Sequence, residues 1–273
     1  MTNEKKTYLC EHYAQRLYTI AAGAAQEAAG AGKLGGGLAV VAHEALRAAD
    51  RMLEYVLSIR FEGGDTQAFE SIAHYAEELF YLSINAELEM LRVCEAGGKD
   101  IAVFVSELKR IAAALREVIT PEPRAGDFVL LEAASSIQSS NMRDSFFRFA
   151  IGGAALIENA ANVMEVFRRN SEELQGDTVA IRGNKLPVCN LYKRLGLTPA
   201  GGDARPVMVV RGKAGQVFAV AVDDFDDVVV FRSGIGAAAR PAADHLFGDC
   251  ARECWDAVGG GQLVFLDWEK LFV

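Results

Sequence analysis

The stretch ELFYLSINAELEMLRVCEAGGKDIAVFVSELKRIAAAL, residues 78–115, decides the fold of the N-terminal part of the chain. Gly97 and Gly98 interrupt it and predict a turn. After the turn, apolar residues recur at alternating spacings of 3 and 4, the a/d seam of helices that pack as a coiled coil. The stretch therefore predicts two helices folded back on each other. The residues of this seam are Ile101, Phe104, Leu108, Ile111, Leu115 and Val118.

Polar residues precede the turn of this hairpin without contributing to its seam. They recur at helical spacing near the predicted tip, where side chains project to the outside. We interpret them as a contact surface, and a solvated helix face is the alternative. The four residues are Asn85, Glu89, Arg92 and Glu95.

The same pattern occurs once before, in residues 17–52. A glycine turn at residues 35–37 divides this stretch, and the seam follows the turn. Aligning Gly23 with Asn85 places GLAVVAHEALRAA over DIAVFVSELKRIA, with one inserted residue. Such an internal repeat predicts that residues 1–120 form an antiparallel four-helix bundle from two helical hairpins. We expect the first helix to use Leu9, Tyr13, Leu17, Ile20, Ala24 and Ala28 as one face. The second-helix seam is Leu38, Val41, Ala45, Ala48, Met52 and Tyr55.

The pattern changes from helical to alternating at about residue 144. Phe147, Phe149 and Ile151 share one face of a predicted strand, and a glycine pair follows. Further short strands with turns at residues 183–184 and 212–215 predict a β-barrel or sandwich over residues 144–273. Residues 121–143 are rich in Ser, Asn and Gln in their second half, and we interpret them as a linker without an assigned role.

Bulk properties restrict the class of protein. The net charge of −9 argues against nucleic acid as a partner, and no apolar run is long enough to span a membrane. Five scattered cysteines and the lack of a signal peptide predict a cytoplasmic protein with free thiols. His245, Cys250 and Cys254 could imitate a zinc site, but no fourth ligand is nearby, so we predict no metal. No catalytic constellation or cofactor motif is present, and we predict a non-enzymatic protein.

At the duplicated hairpin the sequence resembles the signalling tip of methyl-accepting chemotaxis receptors. The first copy keeps EAAGAG and LAVVAHE, and the second keeps Asn85, Glu89, Arg92, Glu95 and IAVFVSEL. The resemblance implies a single-chain imitation of the receptor dimer. In that family the positions of Asn85, Glu89 and Arg92 pack dimers into trimers. The positions of Val40 and Val103 face the coupling protein, although both valines could equally be neighbours of the core seam.

Nearly all of residues 145–273 resemble the CheW-type coupling protein. The motifs FFRFAIGG, NVMEVFR, AIRGNKLPVCNLYKRLGL, FAVAVDDFDDVV and QLVFLDWEKLF occur in the family's order. Asn190 and Ala180 replace the family's usual aspartate and asparagine. The resemblance implies two small five-stranded β-barrels. It implies that Arg182 contacts receptor or kinase, or stabilises the barrel by a salt bridge. Val163 and Val188 would line an apolar groove for a receptor helix, although Val163 could equally be plain core.

Together the two resemblances predict an α+β protein of two domains, residues 1–120 and 144–273. The implied function is a chemotaxis adaptor that couples chemoreceptors to a CheA-type histidine kinase. The implied partners are the kinase regulatory domain, receptor tips and other CheW-type proteins, and self-association is open. The alternative is a soluble receptor-like protein whose helical bundle binds a small ligand and signals through the barrel domain.

Overall fold

The structure is a computed structural model, and two compact units, residues 1–136 and 137–273, divide the chain. The predicted linker, Glu95 and His245 lie outside the described residues. The domain boundaries that we predicted stay a prediction. The structure describes residues 2–30, 35–62, 66–93, 99–119, 145–174, 176–199, 203–213, 215–230, 247, 250–256 and 262–271.

The first unit contains four long helices. They are α1 (Asn3–Gly30), α2 (Gly36–Glu62), α3 (Thr66–Val93) and α4 (Lys99–Ile119). Each helix packs against the next, and α1 also packs against α4, so the four helices form a closed ring. Short connections between long, contacting helices make neighbours antiparallel. The prediction that the N-terminal region is helical is confirmed.

The seams predicted for α2 and α4 form the centre of this bundle. Phe104, Leu108, Ile111, Leu115 and Val118 of α4 are buried. The first five members of the α2 seam are also buried, and Tyr55 at its end is half-buried. Heptad spacing therefore gave the inward faces of both helices, because residues spaced by 3 and 4 share one face of a helix. The Ile101 side chain lies outside the described residues.

The predicted core face of α1 is partly wrong. Leu9, Tyr13 and Ile20 are half-buried, and small residues take the central positions instead. These residues have a strict 3–4 spacing, and their size lets the neighbouring helices approach α1 closely. The larger apolar side chains consequently lie at the flanks of the core face. The buried residues of α1 are Thr7, Cys10, Ala14, Leu17, Ala21, Ala24 and Ala28.

The second unit contains ten strands and two short helices. They are β1 (Ser145–Ile151), β2 (Ala154–Asn159), β3 (Val163–Asn170), β4 (Thr178–Ile181), β5 (Asn184–Cys189), α5 (Leu191–Leu195), β6 (Ala204–Arg211), β7 (Val217–Ala221), β8 (Asp224–Val230), β9 (Ala251–Asp256), β10 (Gln262–Leu266) and α6 (Trp268–Leu271). One five-stranded sheet has the order β8-β1-β2-β10-β9, and the other has the order β3-β6-β7-β5-β4. These two sheets confirm the predicted architecture.

Alternation along β1 positions its core residues. Phe147, Phe149 and Ile151 are buried, as predicted, and the turn follows at Gly152 and Gly153. Both glycines have positive φ values, 59° and 78°, which L-residues with a Cβ rarely adopt. The β1–β2 hairpin is antiparallel and pairs Ile151 with Ala154 across this turn.

Polar contacts connect the elements around the two sheets. Asp223 accepts a hydrogen bond from the Tyr192 hydroxyl at 2.7 Å and another from the Gly152 backbone N–H at 2.6 Å. Buried Glu158 accepts hydrogen bonds from the Trp268 indole N–H at 2.5 Å and from the Asn162 amide at 2.7 Å. Because Asp223 follows β7 of one sheet and Gly152 follows β1 of the other, this carboxylate joins the two sheets.

Candidate protein-interaction sites

The polar residues near the predicted tip are half-buried in the structure. Asn85, Glu89 and Arg92 all lie on α3, and Glu95 lies outside the described residues. Arg92 forms an ion pair with Glu89 one turn earlier on the same helix. The Glu89 carboxylate also lies against Gly37, where a Cβ atom would overlap it. Glu89 therefore makes a contact within the bundle, between α3 and the first turn of α2.

Local electrostatics account for this position of Glu89. Gly37 is the second residue of α2, so the carboxylate lies beside the positive end of the helix dipole. The absence of a side chain at Gly37 lets the carboxylate approach the helix closely. This contact was not predicted from the sequence, although the glycine run before α2 was a signal for it.

The equivalent positions of the first hairpin are open. Gly23, Glu27 and Gly30 align with Asn85, Glu89 and Arg92, and all three are exposed on α1. A Cβ atom built at Gly23 or Gly30 meets no other atom within 4 Å. The two hairpins thus present different surfaces at equivalent positions.

Val40 and Val103 lie on the surface of the bundle. The side chain of Val40 is 36% exposed and that of Val103 is 63% exposed, while Val41 and Phe104 next to them are buried. This exposure favours the contact interpretation over membership of the core. Whether either valine contacts a coupling protein stays a prediction.

A cluster of charges lies near Val103 where α1 meets α4. Arg16 of α1 binds Glu107 of α4 at 2.7 Å, and Arg110 binds the same carboxylate at 3.1 Å. The hydrogen bond from Arg110 lowers the pKa of Glu107; burial opposes this shift, and Arg16 adds to it. Glu107 lies one helical turn after Val103, so this cluster borders the exposed valine.

Arg182 occupies the tight turn between β4 and β5. The turn contains Arg182 and Gly183, with φ values of 48° and 80°, and Ile181 pairs with Asn184 across it. Two residues with positive φ are typical of a type I′ hairpin turn. Arg182 is the single residue other than glycine with positive φ in the described part of the chain.

Glu165 of β3 holds the Arg182 side chain. The Nη2 and Nε atoms of Arg182 lie 2.8 and 3.0 Å from Glu165 Oε1. β3 and the β4 edge lie at opposite ends of the sheet order, so this ion pair requires the sheet to curl back on itself. The pair matches the alternative that Arg182 stabilises the barrel. With 48% of the side chain exposed, however, the guanidinium also remains accessible to a partner.

The two valines predicted on the barrel differ in exposure. Val188 on β5 is half-buried and pairs with Ala219 of β7. Val163, the first residue of β3, is fully buried and pairs with Val210 of β6. The burial of Val163 favours the core interpretation, so its direct contact with a partner stays a prediction, as does the role of Val188.

Glu165 was not predicted from the sequence as the partner of Arg182. The glutamate stands inside the NVMEVFR motif, so the signal was present as an acidic residue within the apolar first half of the strand. Among the described residues, no group of three metal-ligating side chains occurs. The described residues also include no helix that is both long enough and apolar enough to cross a membrane.

Comparison with known families matches residues 145–272 to the model described as "CheW-like domain". This chain therefore carries a CheW-like domain. Among solved structures, it is similar to the scaffolding protein TtCheW from Thermoanaerobacter tengcongensis, at 18% identity and a TM-score of 0.40. That similarity covers 48% of this chain and 92% of that one. A comparison with curated proteins gave no match.

Proposed function

We propose that this protein is a non-enzymatic chemotaxis adaptor that couples chemoreceptors to a CheA-type histidine kinase. The observation that carries the proposal is the CheW-like domain at residues 145–272, whose curled sheet presents Arg182 at the surface. Proteins of the CheW family act as scaffolds, and a scaffold needs exposed, rigid contact groups rather than a reactive centre.

The barrel contact would centre on Arg182. A guanidinium offers planar, paired donors that match a carboxylate, and arginines are common among the residues that dominate protein interfaces. Glu165 restricts the rotamers of Arg182 before binding, which reduces the entropy lost on association. Half-buried Val188 would add apolar contact on the neighbouring strand.

The helical unit would act as a substitute for a receptor tip. Its support is the duplicated hairpin and the two exposed valines at equivalent positions. The covalent link to the CheW-like domain would raise the effective concentration of one part around the partners of the other, toward the millimolar range. The proposed mechanism is thus the placement of proteins relative to one another. Receptor tips, other CheW-type proteins and further copies of the chain are the candidate members of that assembly.

The test is binding of the full chain to the regulatory domain of a CheA-type kinase from the same source. Arg182→Glu should weaken this binding by about tenfold or more, since interface arginines can contribute 2 kcal/mol or more. Lys185→Glu changes the same charge in the same hairpin and serves as the control, with binding close to that of the wild type. Absence of binding by the wild-type chain would contradict the proposed function.

A further inference from the structure

The second half of α3 is apolar and buried on two opposite sides. Tyr81 and Leu88 follow the core residues Leu79 and Ala86 by two positions, which is about 200° around a helix. Both therefore project away from the centre of the bundle, yet both are buried. They belong to a second apolar series with the 3–4 spacing of a packing face, which we name the outer seam. The residues of the outer seam, each at most 6% exposed, are Tyr81, Ile84, Leu88 and Leu91.

The described helices that pack against α3 lie on its two flanks. On one flank, Tyr75 and Glu89 contact α2. On the other flank, Phe80 and Glu87 contact α4. A helix that is apolar and buried on opposite sides needs a neighbour on each side. Burial of the outer seam therefore requires a further part of the chain.

The same side of α3 is polar and open before the outer seam begins. His74 lies two helical turns before Tyr81, and its side chain is 62% exposed. Its Nε2 atom contacts the Glu78 carboxylate at 3.3 Å, and Glu78 is itself 47% exposed. The covering element therefore spans only the second half of α3. From Tyr81 to Leu91 this is about 15 Å of helix.

The chain leaves α4 beside the start of the outer seam. Contacts of Lys109 and Arg116 with α3 set the antiparallel register of the two helices. In this register Ile119, the last residue of α4, lies about level with Glu77. The chain that follows therefore begins about one helical turn before Tyr81, the first residue of the outer seam.

Residues 120–136, which lie outside the described residues, have the length and the composition to cover the outer seam. The boundary of the helical unit falls after Ser136 and not at the end of α4. Pro121 and Pro123 oppose a continuation of α4. The sequence FVLLEAASS, residues 128–136, then combines large apolar residues with good helix formers. Nine helical residues extend about 14 Å, which is close to the length of the outer seam.

We propose that the outer seam of α3 is the docking surface for residues 128–136 of the same chain. The chain turns back after α4 and follows α3 toward the tip, and Leu130 and Leu131 contact the outer seam. This side of the helical unit is consequently occupied within the chain and is not offered to a second copy or to another protein. The inference does not depend on the proposed function.

The first experiment identifies the neighbour of the outer seam by photo-crosslinking in the full chain. The photoreactive aromatic residue p-benzoylphenylalanine is placed at Tyr81, and peptide mass spectrometry maps the product after irradiation. The expected product joins α3 to residues 128–136 of the same chain. The same probe at exposed His74 is the control and should give little of this product. A product that joins Tyr81 to the CheW-like domain or to a second copy of the chain would overturn the proposal.

The second experiment tests the contact without a change in α3. Leu130→Glu combined with Leu131→Glu places two charges against the outer seam. Amide hydrogen exchange of residues 81–91 should then become about tenfold faster or more, because an uncovered helix opens more readily. Ser139→Glu combined with Ser140→Glu adds the same charge beyond the boundary of the helical unit and should leave this exchange unchanged.

Exchange in α2 separates loss of the contact from general unfolding. Its amides should stay protected in both combined variants. Unchanged exchange of residues 81–91 in the variant with charges at Leu130 and Leu131, or equal acceleration in both variants, would overturn the proposal.

Discussion

The two helical hairpins have the same backbone plan but different core volumes. At buried positions aligned by the duplication, Ala45 corresponds to Leu108 and Ala48 to Ile111. In the other helix of each hairpin, Cys10 corresponds to Ile72 and Ala28 to Met90. At these four positions the first hairpin contributes the smaller residue and the second the larger one, whereas Leu17 and Leu79, also aligned and buried, are the same size. The difference shows that the duplicated sequence kept its spacing while the side-chain volumes at these positions diverged.

Substitutions that change the side-chain volume at one aligned pair of core positions should produce the largest effect on stability. Leu108→Ala should reduce the free energy of unfolding by about 2–5 kcal/mol, because a fully buried leucine leaves a cavity. Ala45→Leu, at the aligned position, should cost about 1–3 kcal/mol through overpacking. Denaturant unfolding of the full chain measures both. Losses below 1 kcal/mol for both variants would show that the two hairpins do not share one packed core.

The thiol of Cys10 in α1 provides a probe of the packing of the first hairpin alone. Burial raises the pKa of Cys10 from 9.0 to about 11, with Lys6 acting in the opposite direction. The thiolate is the reactive form, so two pKa units should slow alkylation at pH 8 by about 100-fold. Peptide mass spectrometry after a timed iodoacetamide pulse reads the labelling of Cys10. Labelling as fast as that of the unfolded chain would mean that the first hairpin opens readily.

Substitution of one glycine in each of two environments should affect stability differently. Gly23→Ala should raise the stability by about 0.5–1 kcal/mol, because alanine favours the helix and the added Cβ meets no atom. Gly37→Ala should show no such gain, since its Cβ would displace the Glu89 carboxylate. Thermal unfolding of the two variants gives the comparison. A similar gain at both positions would argue against the contact between Gly37 and Glu89.

The charge cluster of Arg16, Glu107 and Arg110 should have the smallest effect on stability. Because the pKa of Glu107 is lower in the folded state, its stabilising contribution is present at neutral pH and is lost as the pH falls through the folded pKa. Glu107→Gln should therefore cost about 0.2–1 kcal/mol at pH 7, and the difference from wild type should shrink in acid. Glu27→Gln, on exposed α1 surface, is the control. A difference that is constant with pH would contradict the ion-pair explanation.

The helix pattern could be predicted from sequence because spacing alone assigns a face. The seams of α2 and α4 needed no knowledge of neighbours, and the alternation of Phe147, Phe149 and Ile151 gave β1 in the same way. The face of α1 was misjudged because size was used as a measure of burial. Cys10 and Ala14 occupy the centre there, and the preference for small residues depends on how closely the other helices approach.

The contacts of the candidate sites could be predicted only in part. Arg182 was selected by its motif, but its ion pair with Glu165 depends on a sheet whose first and last strands meet, which local sequence does not encode. The approach of Glu89 to Gly37 likewise joins residues more than fifty positions apart. Spacing predicts elements, whereas the partner of a polar side chain depends on how those elements pack.

The carboxylate of Asp223 has a mechanical consequence. Asp223 lies in the two-residue connection between β7 and β8, which belong to different sheets. Its carboxylate binds Tyr192 beside the second sheet and the Gly152 backbone in the first, and its backbone N–H binds Ala150, so tension applied to either sheet is carried to the other through both backbone and side chain. The CheW-like domain should accordingly behave as one lever instead of two hinged plates. A displacement at the Arg182 hairpin would reach the far sheet as a rotation of the whole domain, without bending between its halves.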